Sequence, residues 1–383
     1  MTTGETKTIL PCDGFRDLEA LGWDPFFEEV FESYRNAGLE PGRVAVENRH
    51  AYMLYSARGE VDAKISGRFR YTARSSADFP AVGDWVAAAF PNPEGRVVIH
   101  AVLPRKSRFF RKIPGKSTGE QILASNVDWV FIVQGLDGDF NLRRLERYLV
   151  MAHEGGSRPV VVLNKADLCG DSGEKTAGVS EIAPGVPVFA VSAKNGDGVG
   201  SLMDFIGTGR TVAVVGSSGV GKSTLINALI GREVQKTGDV RESNFRGRHT
   251  TTRREMILLP GGGVLIDTPG LRELQLWHAG EGVQGAFRDI DRAAEGCQFV
   301  DCTHVLEPRC GVLEAVARGE IPAERFESYR KLRKELDWLE DRETIKGSDQ
   351  NRKLREAQRG FNRVRSGKKR GPVRSDGKEP SNR

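Results

Sequence analysis

The amino-acid sequence predicts a multidomain protein: a small closed β-barrel, a central α/β domain, and a mostly helical C-terminal domain that ends in a basic tail. Short alternating strands punctuated by glycine fill residues 42–103, which favours a barrel. Apolar strands followed by polar motifs dominate the middle of the chain. A cluster of cysteines and a charged, helix-patterned stretch follow. A length of 383 residues is sufficient for two or three such domains.

Composition narrows the class of protein before any motif is considered. Five cysteines in a chain of this length do not indicate a disulfide scaffold. No apolar run approaches a membrane span, and the first residues do not resemble a signal peptide. The sequence therefore predicts a cytoplasmic protein with no membrane partner, and a monomer is the default expectation.

The first 108 residues divide into two predicted parts. Residues 1–37 form a preface, helical from about Leu18 to Ala37, and residues 38–108 form the barrel. Both an OB fold and an SH3-like barrel fit the pattern. The five expected strands are Val44–Val46, Ala51–Tyr55, Asp62–Ser66, Asp84–Ala88 and Val97–Ile99.

A phosphate-binding loop is the strongest local motif of the central region. It matches the pattern G-x-x-x-x-G-K-[S/T] and lies between an expected strand at 211–215 and an expected helix that begins at Lys222. The loop comprises Gly216, Ser217, Ser218, Gly219, Val220, Gly221, Lys222, Ser223 and Thr224. The glycines allow a tight turn whose amides face phosphate at a helix N-terminus. Lys222 is expected to reach the β- and γ-phosphates, and Ser223 to bind Mg²⁺.

A second motif predicts that the base is guanine. The expected strand 159–163 leads to Asn164, Lys165, Ala166 and Asp167, and the expected strand 186–191 leads to Ser192, Ala193 and Lys194. The Asp167 carboxylate can accept from both N1–H and the amino group of guanine, which adenine cannot match. Lys165 is expected to lie along the base, and Asn164 to tie this loop to the phosphate loop. The backbone of Ser192, Ala193 and Lys194 is expected to contact the guanine carbonyl.

The remaining nucleotide contacts are expected after the phosphate loop. An apolar strand ends in D-x-x-G, which assigns Asp267 to the Mg²⁺ shell and the Gly270 amide to the γ-phosphate. Between the two motifs, Thr251 or Thr252 is expected to supply a further Mg²⁺ ligand, and the spacing does not decide between them. The base motif thus precedes the phosphate loop, which reverses the usual order in GTPases.

Hydrolysis is expected to be slow without a partner. The position after D-x-x-G is Leu271, whereas Ras-type enzymes place a water-orienting Gln there. The internal candidate for polarising water is His249, beside the switch threonines. A surface histidine on a loop remains the alternative interpretation.

Three cysteines and one histidine predict a metal site in the C-terminal region. Cys297, Cys302, His304 and Cys310 form a plausible tetrahedral Cys₃His set for Zn²⁺. Four protein ligands leave no open position, so the ion is expected to be structural. Buried cysteines with a solvated histidine are the alternative.

In the order of its motifs the chain resembles the circularly permuted GTPases, and the whole sequence resembles the bacterial small-ribosomal-subunit-dependent GTPase family. The resemblance covers roughly residues 10–340, and Val82-Gly83-Asp84-Trp85-Val86 carries it within the barrel. It implies an OB-type barrel, a circularly permuted α/β P-loop GTPase domain, expected at 109–290, and a zinc domain, expected within a zinc-binding and helical region at 291–358. Charge and composition, and not the resemblance, predict the basic tail at 359–383. It also implies the zinc set named above.

The same resemblance implies the function. The expected activity is hydrolysis of GTP to GDP and phosphate, stimulated by the small (30S) ribosomal subunit, in a late assembly factor that binds 16S rRNA and leaves on hydrolysis. A permuted GTPase that acts on the large subunit or another RNA is the competing hypothesis. An RNA-binding protein in which the nucleotide is only structural is a weaker one.

Three segments are candidates for RNA contact. The tail 359–383 holds nine Lys and Arg residues against two acidic ones, a net charge of +7 in a chain of net charge +5, and it is expected to be disordered when free. The stretch 105–112 either touches RNA or links domains. In the barrel the candidates are Arg68, Phe69, Arg70, Tyr71 and Arg74, for which an ordinary solvated strand and loop is the alternative.

Overall fold

The computed structural model describes residues 17–48, 51–90, 96–112, 120–232, 255–267 and 280–338. The chain divides into two units, Met1–Leu336 and Asp337–Arg383. The architecture below is that of the first unit. Among the described residues, no helix combines the length and apolar character needed to cross a membrane.

The N-terminal preface is helical over a shorter range than the sequence predicts. Helix α1 covers Pro25–Asn36, because the Asp24 side chain accepts from the Phe26 and Phe27 amides and Pro25 occupies the first turn. Residues 18–23 instead form turns. Leu21 and Trp23 are buried, and the centroids of the Trp23 and Trp85 rings are 4.7 Å apart.

The next five strands close into a barrel, as predicted. They are β1 Glu40–Asn48, β2 Ala51–Ser56, β3 Gly59–Ile65, β4 Trp85–Ala89 and β5 Val97–Val102. The order is β1-β2-β3-β5-β4, and β4 pairs back onto β1. Only the β3–β5 pair is parallel. This Greek-key closure is the OB topology, and apolar side chains of all five strands fill its interior.

The basic-aromatic stretch after β3 is a short helix, where the sequence suggested strand and loop. Helix α2 covers Gly67–Thr72, with the Ser66 side chain accepting from the Phe69 amide at its N-cap. Phe69 packs against the barrel core, which explains why this stretch turns back onto the barrel. The other four candidates, Arg68, Arg70, Tyr71 and Arg74, are exposed.

The segment that carried the family resemblance joins the barrel to the rest of the fold. Gly83 has φ +94°, and a side chain there would collide with the Ser125 carbonyl. Asp84 is fully buried and accepts from Arg105 Nε at 2.7 Å and Nη2 at 2.6 Å. Arg105 therefore has a structural role in the linker between the barrel and the next element.

A short hairpin and a larger sheet follow the barrel. The hairpin pairs β6 Arg108–Lys112 with β7 Glu120–Ser125. The larger sheet contains β8 Trp129–Gly135, β9 Arg158–Asn164, β10 Val188–Ala190, β11 Thr211–Gly216, β12 Glu255–Leu258 and β13 Val264–Asp267. Its helices are α3 Leu142–Glu154, α4 Ser172–Ile182, α5 Val199–Ile206 and α6 Lys222–Ile230.

The strand order of this sheet shows how the chain has been rearranged. The order is β10-β9-β8-β11-β13-β12, with every pair parallel except β12–β13. Strand β11, which leads to the phosphate loop, comes after β9, which leads to the base motif, so the order of the two motifs along the chain is the reverse of the usual one. Strand β12 also pairs with barrel strand β1, at Val46 opposite Glu255, so one continuous sheet joins the two parts.

Within residues 280–338, the described part of the chain after the sheet, the helices are α7 Gly280–Ala286, α8 Arg288–Ala294, α9 Gly311–Ala317 and α10 over residues 323–338. The charged, helix-patterned stretch that follows the cysteines is therefore helical from residue 323 as far as the chain is described. Phe326, Leu332 and Leu336 are buried along one side of α10. The C-terminal region is mostly helical, as the sequence predicts.

Candidate nucleotide and metal sites

The predicted nucleotide-binding residues meet at one edge of the α/β sheet. Strands β11, β8 and β9 are parallel neighbours, so their carboxyl ends adjoin. Gly216 pairs with Val133, and Gly135 pairs with Asn164, which brings the two motifs together. Residues that are some fifty positions apart in sequence thus belong to one site.

The phosphate loop has the backbone conformation that its glycines allow. Gly216, Gly219 and Gly221 have φ values of +146°, +85° and +90°. A side chain at Gly216 would collide with the Val133 carbonyl, and one at Gly221 with the Asn164 amide. Lys222 is 6% exposed and its Nζ donates to the Ser217 carbonyl, which places the ammonium within the loop.

Asn164 connects the base motif to the phosphate loop, as predicted from the sequence. Its Nδ2 donates to the Val220 carbonyl at 2.9 Å, and its Oδ1 accepts from the Ala193 amide at 3.0 Å. The side chain is buried, so both polar ends are satisfied inside the protein. One amide therefore fixes the three predicted nucleotide segments relative to each other.

The other residues of the base motif lie at the rim of the same site. Lys165 has φ +64° and its Nζ donates to the Gly219 carbonyl at 2.7 Å. The Ala166 amide donates to the Val191 carbonyl at 3.0 Å, which joins this turn to the strand before Ser192. Asp167 and Lys194 are exposed, while Ser192 and Ala193 are buried. Asp167 is thus open to a ligand.

Beyond the phosphate loop, Asp267 is the predicted Mg²⁺ ligand that lies within the described residues. It is buried at the carboxyl end of β13, and β13 is the parallel neighbour of β11. It therefore lies on the same sheet edge as Ser223, the second residue of α6. The other predicted residues of this region, His249, Thr251, Thr252 and Gly270, lie outside the described residues, as does Leu271.

One polar residue at this edge was missed by the motif analysis. Asp137 follows β8, and its Oδ2 accepts from Lys165 Nζ. The available signal was positional, since an acidic residue directly after a buried parallel strand lies at the ligand-binding edge. Asp137 belongs to no recognised motif, so this position after a buried strand is the signal by which the sequence could have identified it.

The predicted metal-ligand set converges in the C-terminal region. One ligand atom from each of Cys297, Cys302, His304 and Cys310 lies within 4.8 Å of the other three. The Cys297 and Cys310 sulfurs are 3.8 Å apart, and His304 Nδ1 lies 3.3 Å from Cys310 Sγ. His304 and Arg309 have left-handed φ values of +58° and +53°. This arrangement could hold a metal ion.

Local electrostatics favour the metal-binding form of two of the four residues, His304 and Cys297, whereas burial raises the pKa of Cys302 to about 11. Burial lowers the pKa of His304 and so favours the neutral imidazole that ligates metals. Burial acts to raise the pKa of Cys297, but hydrogen bonds from the Val312 and Gly311 amides, together with those to Cys310 and Cys302, outweigh it, and the net pKa is lowered. The lowered pKa favours the thiolate, the form of cysteine that binds metals.

The permuted sheet, the phosphate loop and the guanine-type base motif define a circularly permuted GTPase. A sequence profile of the RsgA GTPase family matches residues 102–277. A relative from Opitutus terrae, named small ribosomal subunit biogenesis GTPase RsgA, is 48% identical over 328 residues, or 83% of this chain and 89% of the relative. The chain belongs to the RsgA GTPase family.

Other comparisons agree with this assignment. A protein of the same name from Syntrophotalea carbinolica is 43% identical over 84% of this chain and 90% of its own length. The crystal structure of YjeQ from Thermotoga maritima matches with a TM-score of 0.59 and 29% identity, over 78% of this chain and 98% of that one. YloQ, described as a circularly permuted GTPase, shares the fold with a TM-score of 0.59 at 21% identity, over 79% of this chain and 96% of that one.

A second family profile, that of ABC transporters, matches residues 205–365. This range contains the phosphate loop, a motif that many nucleotide-binding proteins share. The range excludes the base motif at 164–167, which begins at the last residue of strand β9. The match therefore reflects the phosphate loop and does not change the family.

Proposed function

We propose that this protein hydrolyses GTP as a late assembly factor of the small ribosomal subunit, where it binds 16S rRNA and leaves on hydrolysis. The observation that carries the nucleotide part is Asn164, whose one amide joins the phosphate loop to both base-binding segments. The ribosomal part rests on relatives named small ribosomal subunit biogenesis GTPase. Ribosome assembly takes place in the cytoplasm, and we propose that the protein acts there as a monomer.

The phosphate side of the site has the following proposed roles. Backbone amides of residues 216–224 cradle the phosphates, and Lys222 neutralises the β- and γ-phosphates. Ser223 and Asp267 hold Mg²⁺, completed by Thr251 or Thr252, and the Gly270 amide contacts the γ-phosphate. The buried position of Asp267 beside β11 supports its role, because a carboxylate there is shielded from bulk water.

The base side selects guanine. Asp167 accepts from N1–H and the amino group of the base, and its exposure at the sheet edge leaves it open for that contact. Lys165 lies along the base, and the backbone of Ser192, Ala193 and Lys194 contacts the guanine carbonyl. The link from Ala193 N to Asn164 Oδ1 keeps this backbone in register with the base motif.

Water activation is assigned to a group outside the described residues. His249 polarises the attacking water, since Leu271 cannot do so. Such a histidine on a switch segment would act only when the subunit holds the segment in place, which is why we expect slow turnover without the subunit.

The ribosome-binding surfaces include helix α2 and the basic tail. Tyr71 is 92% exposed on α2, between the exposed Arg70 and Arg74. An exposed aromatic ring flanked by guanidinium groups can stack on an unpaired base while the cations contact phosphates. The tail contributes seven net positive charges to the same kind of contact.

Zinc is the proposed ion of the Cys₃His cluster, and its role is structural. A tetrahedral ion about 2.3 Å from two sulfurs holds them about 3.8 Å apart. The observed separation of Cys297 and Cys310 is 3.8 Å, which supports this assignment. When bound, zinc would tie the loop 297–310 to helix α9, because the Cys310 side chain also accepts from the Leu313 amide.

The deciding experiment is GTP turnover by the purified protein, measured alone, with 30S subunits and with 50S subunits at physiological salt. We expect slow turnover alone and with 50S, and strong stimulation by 30S. Lys222→Ala serves as the catalytic control and should abolish turnover in all three conditions.

Two results would contradict the proposal. Stimulation by 50S alone would favour the large-subunit hypothesis. Equal affinity for 30S in the presence of GDP and of a non-hydrolysable GTP analogue would remove the release step, because the nucleotide state must change the affinity for the switch to operate.

A further inference from the structure

The loop after strand β8 places a carboxylate between the two halves of the nucleotide site. Strand β8 pairs with β9, which carries the base motif, and with β11, which carries the phosphate loop. Asp137, two residues beyond the end of β8, therefore lies where the two motifs adjoin. The described contacts of this side chain point toward Lys165.

A single ammonium group joins three segments at this point. Lys165 Nζ donates to Asp137 Oδ2 and to the Gly219 carbonyl, the latter at 2.7 Å. The Lys165 side chain thus spans from the base motif to the phosphate loop, and the β8 loop holds its end. Without the carboxylate, the carbonyl alone would have to fix a long and flexible side chain.

Two local features fit this arrangement. Lys165 has φ +64°, an unfavourable backbone conformation for a residue with a side chain, which indicates that tertiary contacts hold it there. Gly135 leaves the space that the carboxylate occupies, since a Cβ at Gly135 would lie only 2.5 Å from Asp137 Oδ1. The glycine at the strand end and the acid after it therefore function together.

The carboxylate is charged under physiological conditions. The hydrogen bond from Lys165 lowers the pKa of Asp137, and backbone amides of Asp137 and Asp139 contribute in the same direction. A carboxyl group whose folded-state pKa is lowered loses its contribution only as the pH falls through that lowered value. The ion pair is thus intact at neutral pH.

We propose that Asp137 is a positioning residue of the guanine-nucleotide site, which fixes the Lys165 ammonium against the Gly219 carbonyl and so keeps the Lys165 stem in place along the base. The inference rests on the nucleotide site of the proposed function and is independent of the ribosomal partner. Asp137 makes no proposed contact with the reacting γ-phosphate.

The position of the pair determines the size and type of the expected effect. The Lys165 and Asp137 side chains are 26% and 29% exposed, so solvent weakens their attraction. We expect loss of the carboxylate to weaken binding about two- to fivefold. GDP and GTP should be affected equally, because they share the base, and kcat at saturating GTP should be unchanged.

The test compares Asp137→Asn, Asp137→Glu and the matched control Asp139→Asn by stopped-flow binding and release of a fluorescent GDP analogue. The control removes the same charge two residues away, where Asp139 pairs with Arg144 at 2.8 Å. We expect faster release only for Asp137→Asn, with most of the wild-type affinity recovered in Asp137→Glu because it keeps the charge.

Competition by inorganic tripolyphosphate separates positioning of the base side from damage to the phosphate loop. Its inhibition constant against GTP turnover should not change in Asp137→Asn, because tripolyphosphate has no base. Equal weakening of tripolyphosphate and GDP, wild-type release by Asp137→Asn, or an equal loss in Asp139→Asn would overturn the inference. A wild-type protein that binds no guanine nucleotide would instead refute the proposed function.

Discussion

At the scale of single residues, a buried arginine joins the barrel to the strand that leads to the phosphate loop. Arg43 is 1% exposed, and its guanidinium donates to the carbonyls of Leu21, Gly83 and Asn126 and to Thr211 Oγ1. Burial lowers the pKa of Arg43 to about 10, which still leaves it charged at neutral pH. Thr211 begins β11, so one side chain ties the preface, the barrel and the nucleotide-binding sheet together.

We predict that Arg43→Ala lowers the free energy of unfolding by roughly 3 kcal/mol, because it leaves several buried acceptors without a donor. Arg43→Lys should not restore it, since a single ammonium cannot reproduce the planar set of donors. Thermal or urea unfolding provides the measurement.

Arg58→Ala is the matched control for Arg43. Arg58 pairs with Glu40 of β1, but its side chain is 54% exposed, so its removal should cost less than about 1 kcal/mol. A similar loss in the two variants would show that burial of Arg43 is not the source of its effect.

The chemistry of single residues also explains which residues of the nucleotide site the sequence could identify. Asn164, Lys165 and Asp167 form a spaced pattern with a known ligand geometry, so the sequence identifies them. Arg43 and Asp137 act through partners that are distant in sequence, Thr211 and Lys165 among them, and no local pattern encodes those pairs.

At the scale of elements, helix α3 connects the nucleotide-binding sheet to the C-terminal helices. Arg325, at 2% exposed, donates to Asp289 of α8 at 2.6 Å and to Glu146 of α3 at 3.0 Å. Glu146 is fully buried, and the Arg325 guanidinium also stacks over the Phe287 ring at 4.7 Å. This buried ion network fixes α8 and α10 on α3.

Arg325→Ala should destabilise the protein by about 3 kcal/mol, because it removes the buried partner of Glu146 and leaves that carboxylate only its ion pair with the partly exposed Arg143. Hydrogen–deuterium exchange should accelerate in α8 and α10 before it does in the sheet. Arg318→Ala, which removes an exposed pair with Glu320 near the end of α9, should leave the exchange pattern unchanged. If hydrogen exchange accelerates equally in the sheet, the effect of the substitution is not confined to α8 and α10, and the prediction is wrong.

Elements were predictable where a repeating pattern and a boundary residue agreed. The barrel strands and the strands before the nucleotide motifs follow the alternating or continuous apolar patterns that predict them. Helix α2 was missed because it has only six residues, too few to show a helical period. Helix α1 was predicted too long, since residues 18–23, which include the buried Leu21 and Trp23, form turns before the Asp24 cap.

At the scale of the whole molecule, the barrel and the nucleotide-binding sheet share one hydrogen-bonded edge. The β1–β12 pair and the Tyr55 hydroxyl, which donates to the Met256 carbonyl at 3.3 Å, both cross this junction. Strand β12 follows the segment that holds the predicted switch residues 249–252. The barrel is thus attached directly after the segment expected to respond to GTP.

The metal is expected to support the C-terminal region without being required by the nucleotide site. Purified protein should contain one zinc ion per chain, and its removal by a strong chelator should loosen residues 297–317 while GDP binding stays within about twofold. Metal analysis and GDP titration before and after chelation measure the two effects. Loss of GDP binding in step with zinc, reversed on adding zinc back, would show that the nucleotide site depends on the ion.

The sequence by itself determined the class of chemistry and its order along the chain, because phosphate, guanine and metal ligands require particular side chains at short fixed spacings. It also determined most strands, since their patterns are local. Only the tertiary structure decided which residues distant in sequence contact each other. These contacts are the barrel closure through β1–β4, the Arg43 junction, the Arg325 network and the Asp137–Lys165 pair. These contacts join positions far apart in the chain. Their geometry depends on burial and strand order, which no local sequence pattern encodes.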